Sequence, residues 1–115
     1  VLHGPALLRQ RADRPAPRDA REATVSAQHV FAAAFLRGRL TAAELCPAAL
    51  ADPAIRGLAA RVSVAVDQAV PQGGVRLAAR RADGVAHEVS VPVGTGLPGR
   101  EMDDALLAAK AHSLL

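Results

Sequence analysis

The feature that most constrains the fold is a change of hydrophobic period near residue 63. Before this point the apolar residues recur at helical spacing, whereas "VSVAVD" (62–67) alternates in the manner of a strand. Two more strand-like segments follow, "GGVRLAARR" (73–81) and "VAHEVSVPV" (85–93), and the "ADG" between them is a hairpin signal. The order of helical and strand patterns therefore predicts an α+β fold.

Capping signals predict where the helices begin and end. The main helix is predicted from about Val25 to Arg37, with Gly38 placed to adopt a left-handed cap. Further signals are a capping box at Thr41 and Glu44 for a short helix that Pro47 interrupts, an N-cap at Asp52 before Pro53, and an N-cap at Asp103 for a closing helix.

The N-terminal segment combines strand and loop signals. "VLHGPALL" (1–8) begins as a strand, which Gly4 and Pro5 are expected to confine to a sheet edge or a bulge. Residues 9–22 contain Pro15 and Pro17 and predict a loop. The simplest arrangement is one two-layer α+β domain over residues 1–115, in which a small, mostly antiparallel three-stranded meander carries helices packed on one face.

The core must be aliphatic, because Phe31 and Phe35 are the only aromatic residues and Trp and Tyr are absent. The single Cys46 excludes an intrachain disulfide and cannot form a thiolate zinc site alone, which suits a reducing, cytoplasmic location. No apolar run approaches the roughly 20 residues of a membrane span, and no signal-peptide pattern is present. We expect a soluble protein without a membrane partner.

The net charge of +3 comes almost wholly from arginine. Five arginines fall within residues 9–22, where three acidic residues are interleaved with them and no aromatic residue is available for base stacking. A solvated loop is favoured over a polyanion-binding arm, so no nucleic-acid partner is expected.

Catalytic signatures are scarce. "GTGLPG" (94–99) has the glycines of a phosphate-binding loop but lacks its lysine, and a plain connection is the favoured interpretation. The four histidines are far apart, and no two have the spacing of metal ligands on one helix face. No metal and no cofactor are expected.

The order of several segments resembles a known family. "HGPALL", "REATVSAQHVFAAAFLRGRL", "LADPAIRGLAARVSVAVD", a strand pair around "RADG" and "GLPGREMDDALLAAK" follow one another along essentially the whole chain. This series is similar to the C-terminal α+β domain of the MmgE/PrpD family, which includes 2-methylcitrate dehydratase, cis-aconitate decarboxylase and iminodisuccinate epimerase. The most specific pieces are Ser26-x-x-His29 in the helix that runs to Gly38, Asp52-Pro53, and Gly96-x-Pro98 before the helix with Lys110.

The resemblance implies that the chain is a lid. In this family a large helical domain carries most acid/base residues, and the α+β domain closes over the pocket. Without that helical domain we expect little activity from this chain alone. The expected substrates are small polycarboxylates such as 2-methylcitrate or cis-aconitate, with dehydration, decarboxylation and epimerisation all open.

Two kinds of partner follow from this implication. The lid is expected to meet the helical catalytic domain of the same enzyme or a second subunit, and to form a homo-oligomer. The alternative is a non-catalytic protein–protein interaction module, whose apolar helix face and open sheet edge bind another chain.

His29 is the best candidate for a catalytic residue. The family has Tyr or His at this position, although Thr24 and Val25 replace the basic and aromatic residues that often precede the serine. Ser26 is expected to be an N-cap and is a weaker candidate for substrate binding. The first turn of a helix also favours a bound carboxylate, which suits a polycarboxylate substrate.

Helical geometry predicts which way His29 faces. At about 100° per residue, Ser26 and His29 share one stripe, whereas Phe31 and Phe35 lie on the opposite side. His29 therefore lies off the strongest apolar face of the helix. Because the helix from Val25 to Arg37 is apolar around most of its circumference, part of it is expected to meet another subunit or domain. His29 is then either a partly exposed residue bound to a loop or a residue that lines a pocket, and in both cases it should contribute little to packing.

Overall fold

The computed structural model describes residues 1–114. One short strand is followed by a run of helices, then by three strands and a last helix. The elements are β1 (Leu2–Gly4), α1 (Ala6–Ala12), α2 (Ala20–Thr24), α3 (Ala27–Arg37), a 3₁₀ helix (Ala42–Leu45), α4 (Pro47–Ala51), α5 (Pro53–Ala59), β2 (Val64–Val66), β3 (Val75–Arg80), β4 (Ala86–Val91) and α6 (Asp104–Leu114).

The described residues divide into two compact units. The sheet unit comprises residues 1–11 and 64–103, and the helical unit comprises residues 12–63 together with α6. In the sheet unit the strand order is β2-β1-β3-β4, with β1 parallel to β2 and antiparallel to β3. The α+β class is confirmed, whereas the expectation of a three-stranded meander is wrong, because β1 lies between β2 and β3.

The position of β1 also corrects the expectation that Gly4 and Pro5 hold it at an edge. Leu2 pairs with Val64 on one side and with Leu77 on the other. Pro5 follows the last strand residue, so its missing N–H removes no hydrogen bond from the ladder.

The hairpin predicted from "ADG" is confirmed. β3 and β4 pair antiparallel, from Val75 opposite Val91 to Arg80 opposite Ala86. The turn contains Gly84 at φ 88°, a conformation that glycine adopts without steric cost. Short-range signals were therefore sufficient to identify this pairing.

Residues 9–22 are not a continuous loop as predicted. α1 extends to Ala12, and α2 begins at Ala20 after Asp19, whose side chain accepts a hydrogen bond from the Glu22 N–H at 2.8 Å. The two prolines, Pro15 and Pro17, fall between these helices. The predicted loop is therefore present only at residues 13–19.

Most of the other helix boundaries match their signals. α3 ends at Gly38, which adopts the left-handed cap at φ 69°. Asp52 caps α5 and Pro53 occupies its first turn, as predicted. Pro47, however, begins α4 rather than interrupting a helix, since the first turn does not need the N–H that proline lacks. α6 begins directly after the predicted cap Asp103.

α3 buries the side that carries His29 and leaves its phenylalanine side partly uncovered. Phe35 is 68% exposed, and its ring stacks on the half-buried Phe31 with centroids 5.8 Å apart. Small side chains allow α3 to approach α5 closely, and the core is aliphatic as expected. The buried cluster consists of Ala32, Ala33, Ala49, Ile55 and Ala59, with Cys46 and Leu58 packed against it.

α6 differs from the other helices because every one of its residues is exposed. Leu107 is 50% exposed and Leu114 is 64% exposed. Within residues 1–114, no helix is both long enough and apolar enough to cross a membrane.

The core assigned around α3 makes a testable prediction. Ile55→Ala should reduce the free energy of unfolding by about 2–5 kcal/mol, because it opens a cavity in the alanine cluster. Phe35→Ala should change that free energy by only about 0.5 kcal/mol, because the ring is mostly in solvent. Urea denaturation of both variants checks this. A larger loss for Phe35→Ala than for Ile55→Ala would contradict the assigned core.

Candidate functional site

A cleft of about 520 Å³ lies within the helical unit. Its size falls in the range of small-molecule pockets. Among the described residues, the lining includes one histidine and two arginines and no aspartate or glutamate. The lining residues are Pro15, Ala16, Pro17, Arg18, His29, Leu50, Arg56, Ala59 and Ala60. Such a lining suits a small anion.

His29 lines this cleft from the first turn of α3, yet it is only 2% exposed. Its Nε2 lies 2.8 Å from the carbonyl oxygen of Glu44. A carbonyl can only accept a hydrogen bond, so Nε2 carries a proton and donates it. Nδ1 is then the ring nitrogen left to accept a hydrogen bond or take up a proton.

The burial of His29 corrects the expectation that it contributes little to packing. His29 belongs to the inward face of α3 together with Gln28, Ala32 and Ala33. The helical-wheel argument failed because it assumed that a residue off the strongest apolar face contributes little packing, whereas the packed side of α3 is the side with His29. The catalytic role of His29 stays a prediction, but the residue is also a structural one.

Ser26 is the N-cap of α3 and is fully buried. Its Oγ accepts a hydrogen bond from the His29 N–H at 3.1 Å and donates one to the Arg14 carbonyl oxygen at 2.6 Å. The hydroxyl thus holds the start of the helix against the 13–19 segment. Substrate binding by Ser26 stays a prediction.

Gln28 fixes the same segment from the next position of the helix. Its Nε2 donates to Asp13 Oδ1 at 2.6 Å, and its Oε1 accepts from the Arg14 N–H at 3.1 Å. The side chain is 1% exposed, so these bonds form out of water. Sequence analysis missed Gln28, because a glutamine in a helix carries no local signal of burial.

Arg18 lies at the end of the proline-containing wall and is bound to Glu22. Its Nη2 donates to Glu22 Oε1 at 2.8 Å, and its backbone N–H donates to Oε2 at 2.9 Å. The side-chain hydrogen bond from Arg18 is the main cause that lowers the pKa of Glu22 to about 2. The guanidinium is therefore already engaged, although its side chain is 85% exposed.

Glu44 supplies the backbone carbonyl that binds His29, and its side chain holds this segment in place. Its carboxylate is fully buried and accepts hydrogen bonds from the Thr41 hydroxyl at 2.6 Å, the Thr41 N–H at 2.8 Å and Arg39 Nε at 3.1 Å. The Thr41 hydroxyl is the main cause that lowers the pKa of Glu44 to about 2. The predicted capping box is confirmed, and it identified Glu44 from the sequence.

Because its pKa is lowered, Glu44 contributes to the stability of the fold in a pH-dependent way. Because the folded-state pKa lies below the ordinary value of 4.5, the stabilisation is fully present above that value. It is lost as the pH falls toward 2, when the carboxylate takes up a proton in the folded state. The 3₁₀ helix, whose Glu44 carbonyl binds His29, is therefore least stable in acid.

The described residues contain no cluster of metal-ligating side chains. Within residues 1–114, no group of three or more His, Cys, Asp and Glu side chains is placed to hold a metal ion. Cys46 has a free thiol, which donates to the Ala43 carbonyl oxygen at 3.0 Å. The histidines lie in four different elements, namely His3 in β1, His29 in α3, His87 in β4 and His112 in α6.

Comparison with protein families gives a match that covers almost the entire chain. The sequence model of the MmgE/PrpD C-terminal domain matches residues 3–115. A comparison with curated proteins gives no match. The family match includes every residue that lines the cleft.

The hydrogen bond between His29 and Glu44 predicts how two substitutions differ. His29→Ala leaves a buried carbonyl without its donor and should cost about 1–3 kcal/mol of unfolding free energy. His29→Gln should lose less, because an amide nitrogen can replace Nε2 as the donor. Urea denaturation measures both, with the exposed His87→Ala as the control. Equal stability of His29→Ala and the unmodified chain would contradict the bond.

Proposed function

Since the chain belongs to the MmgE/PrpD family through its C-terminal domain, we propose that it caps the substrate pocket of a lyase or isomerase. The substrates proposed are small polycarboxylates such as 2-methylcitrate or cis-aconitate. The observation that carries the proposal is that His29 lines a cleft whose charged side chains are both arginines. Positive charge beside a histidine favours an anionic substrate that undergoes proton transfer.

The geometry gives His29 a defined part in this chemistry. Its Nε2–H is occupied by the Glu44 carbonyl, so Nδ1 is the atom that accepts or returns a proton. A reaction of this class removes a proton next to a carboxylate and expels water or carbon dioxide, or returns the proton on the other face. The second acid/base group is proposed to come from the helical domain, and the choice among the three reactions stays open.

Exposed apolar surface supports the presence of a partner. α6 is apolar around most of its circumference, a pattern typical of a buried helix, yet every one of its residues is exposed. A helix of this length is also marginal without tertiary packing. We propose that α6 and Phe35 pack against the helical domain of the enzyme or a second subunit of a homo-oligomer.

The alternative function, a non-catalytic interaction module, would use the same exposed surfaces. It gives no account of the cleft, of the buried histidine or of the arginines beside it. The lid is therefore the favoured proposal. The cytoplasmic location stays a prediction that rests on the single cysteine.

The proposal predicts that the activity requires both domains. The purified 115-residue chain should show no turnover of 2-methylcitrate, cis-aconitate or iminodisuccinate, because it supplies only one candidate acid/base residue. In an enzyme that joins this chain to a helical domain, His29→Gln should lower kcat/KM by about 10²-fold with little change in Tm. His29→Tyr should retain part of the activity, because a phenol can also transfer a proton.

Two results would contradict the lid assignment. Enzyme-like turnover by the isolated chain would show that it is complete in itself. Full activity of His29→Gln in the joined enzyme, with His87→Ala as the control, would leave His29 with a structural role only.

A further inference from the structure

The two arginines of the cleft are not equivalent. Arg18 is bound to Glu22 through both its guanidinium and its backbone N–H. Arg56 also lines the cleft, but within residues 1–114 it forms no ion pair. Arg56 is therefore the cationic side chain of the cleft that is available to an incoming anion.

The backbone of Arg56 is held firmly although its side chain is free. The preceding residue, Ile55, is 1% exposed and belongs to the alanine-rich core. The Arg56 N–H donates to the Asp52 carbonyl oxygen at 3.0 Å, and Asp52 caps the helix through the Ala54 N–H at 2.9 Å. The guanidinium thus extends from a fixed helical turn.

The part of the lining formed by Pro15–Arg18 is also fixed in place. Ser26 and Gln28 form hydrogen bonds with the Arg14 backbone, and Gln28 also binds the Asp13 side chain. Asp13 and Arg14 directly precede Pro15–Arg18. Proline further restricts this wall, because its ring fixes the backbone φ angle. A ligand would enter a cleft whose walls need little ordering, which reduces the cost of binding.

We propose that Arg56 binds a carboxylate of the substrate in this cleft and so orients the molecule toward His29. A planar guanidinium can donate two parallel hydrogen bonds to one carboxylate, which gives orientation as well as affinity. Arg56 is thus a positioning residue that selects polycarboxylates. The inference rests on the proposed function and names the residue that recognises its substrate class.

The experiment is an NMR titration of the 115-residue chain with citrate, at constant ionic strength maintained with sodium chloride. Citrate should shift the signals of residues 15–18, of the His29 ring and of residues 56–60. Arg56→Ala should weaken this binding by about tenfold or more, and Arg56→Lys should weaken it less, because lysine keeps the charge but not the paired donors. Arg61→Ala is the matched control, since Arg61 is exposed and lies outside the lining.

Shifts spread over all arginines, or equal affinity of Arg56→Ala and the unmodified chain, would overturn the inference. In the joined enzyme, Arg56→Ala should raise KM more than it lowers kcat. If His29→Gln abolishes activity while Arg56→Ala binds citrate normally, the proposed function survives and this inference fails. If citrate binds through Arg56 but His29→Gln is fully active, the cleft binds carboxylates and the proposed function fails.

Discussion

The hydrogen bond from the His29 ring to the Glu44 carbonyl joins the main helix to the segment that follows it. Both ends of this bond are fixed by buried polar groups. Ser26 accepts the His29 N–H, and Thr41 and Arg39 hold the Glu44 carboxylate. Because one ring nitrogen is committed to structure, the other is the one left for chemistry. The helical unit therefore presents the histidine in a single tautomer at the surface of the cleft.

Small side chains are the second constraint on the molecule. The core around α3 and α5 is built from alanines with one isoleucine, and Cys46 and Leu58 pack against it. Phe35 lies outside this core and is exposed, and the buried side of α3 carries polar residues that must be satisfied by hydrogen bonds. No buried side-chain nitrogen or oxygen among the described residues lacks a partner. The side of α3 that packs inward thus encloses the histidine.

Local signals predicted much of the fold, because they depend on neighbouring residues alone. The Gly38 cap, the Asp52–Pro53 helix start and the Gly84 hairpin turn were all identified from the sequence. Long-range pairing was not, since nothing near Leu2 encodes that it pairs with both Val64 and Leu77. The burial of His29 was also not predicted, because hydrophobicity ranks phenylalanine above alanine, whereas the buried side of α3 carries small residues and hydrogen-bonded polar ones. The resemblance identified His29, but only the structure placed Arg56 beside it in the lining of the cleft.

The central claim is that structure holds one nitrogen of His29 and leaves the other for chemistry, and the tautomer of the ring tests it most directly. A long-range ¹H–¹⁵N correlation spectrum of the imidazole groups, recorded above the titration range of the ring, distinguishes the two neutral forms. The account predicts that His29 carries its proton on Nε2, because the Glu44 carbonyl oxygen lies 2.8 Å from that atom. A proton on Nδ1, or rapid averaging between the two nitrogens as in an exposed histidine, would contradict it.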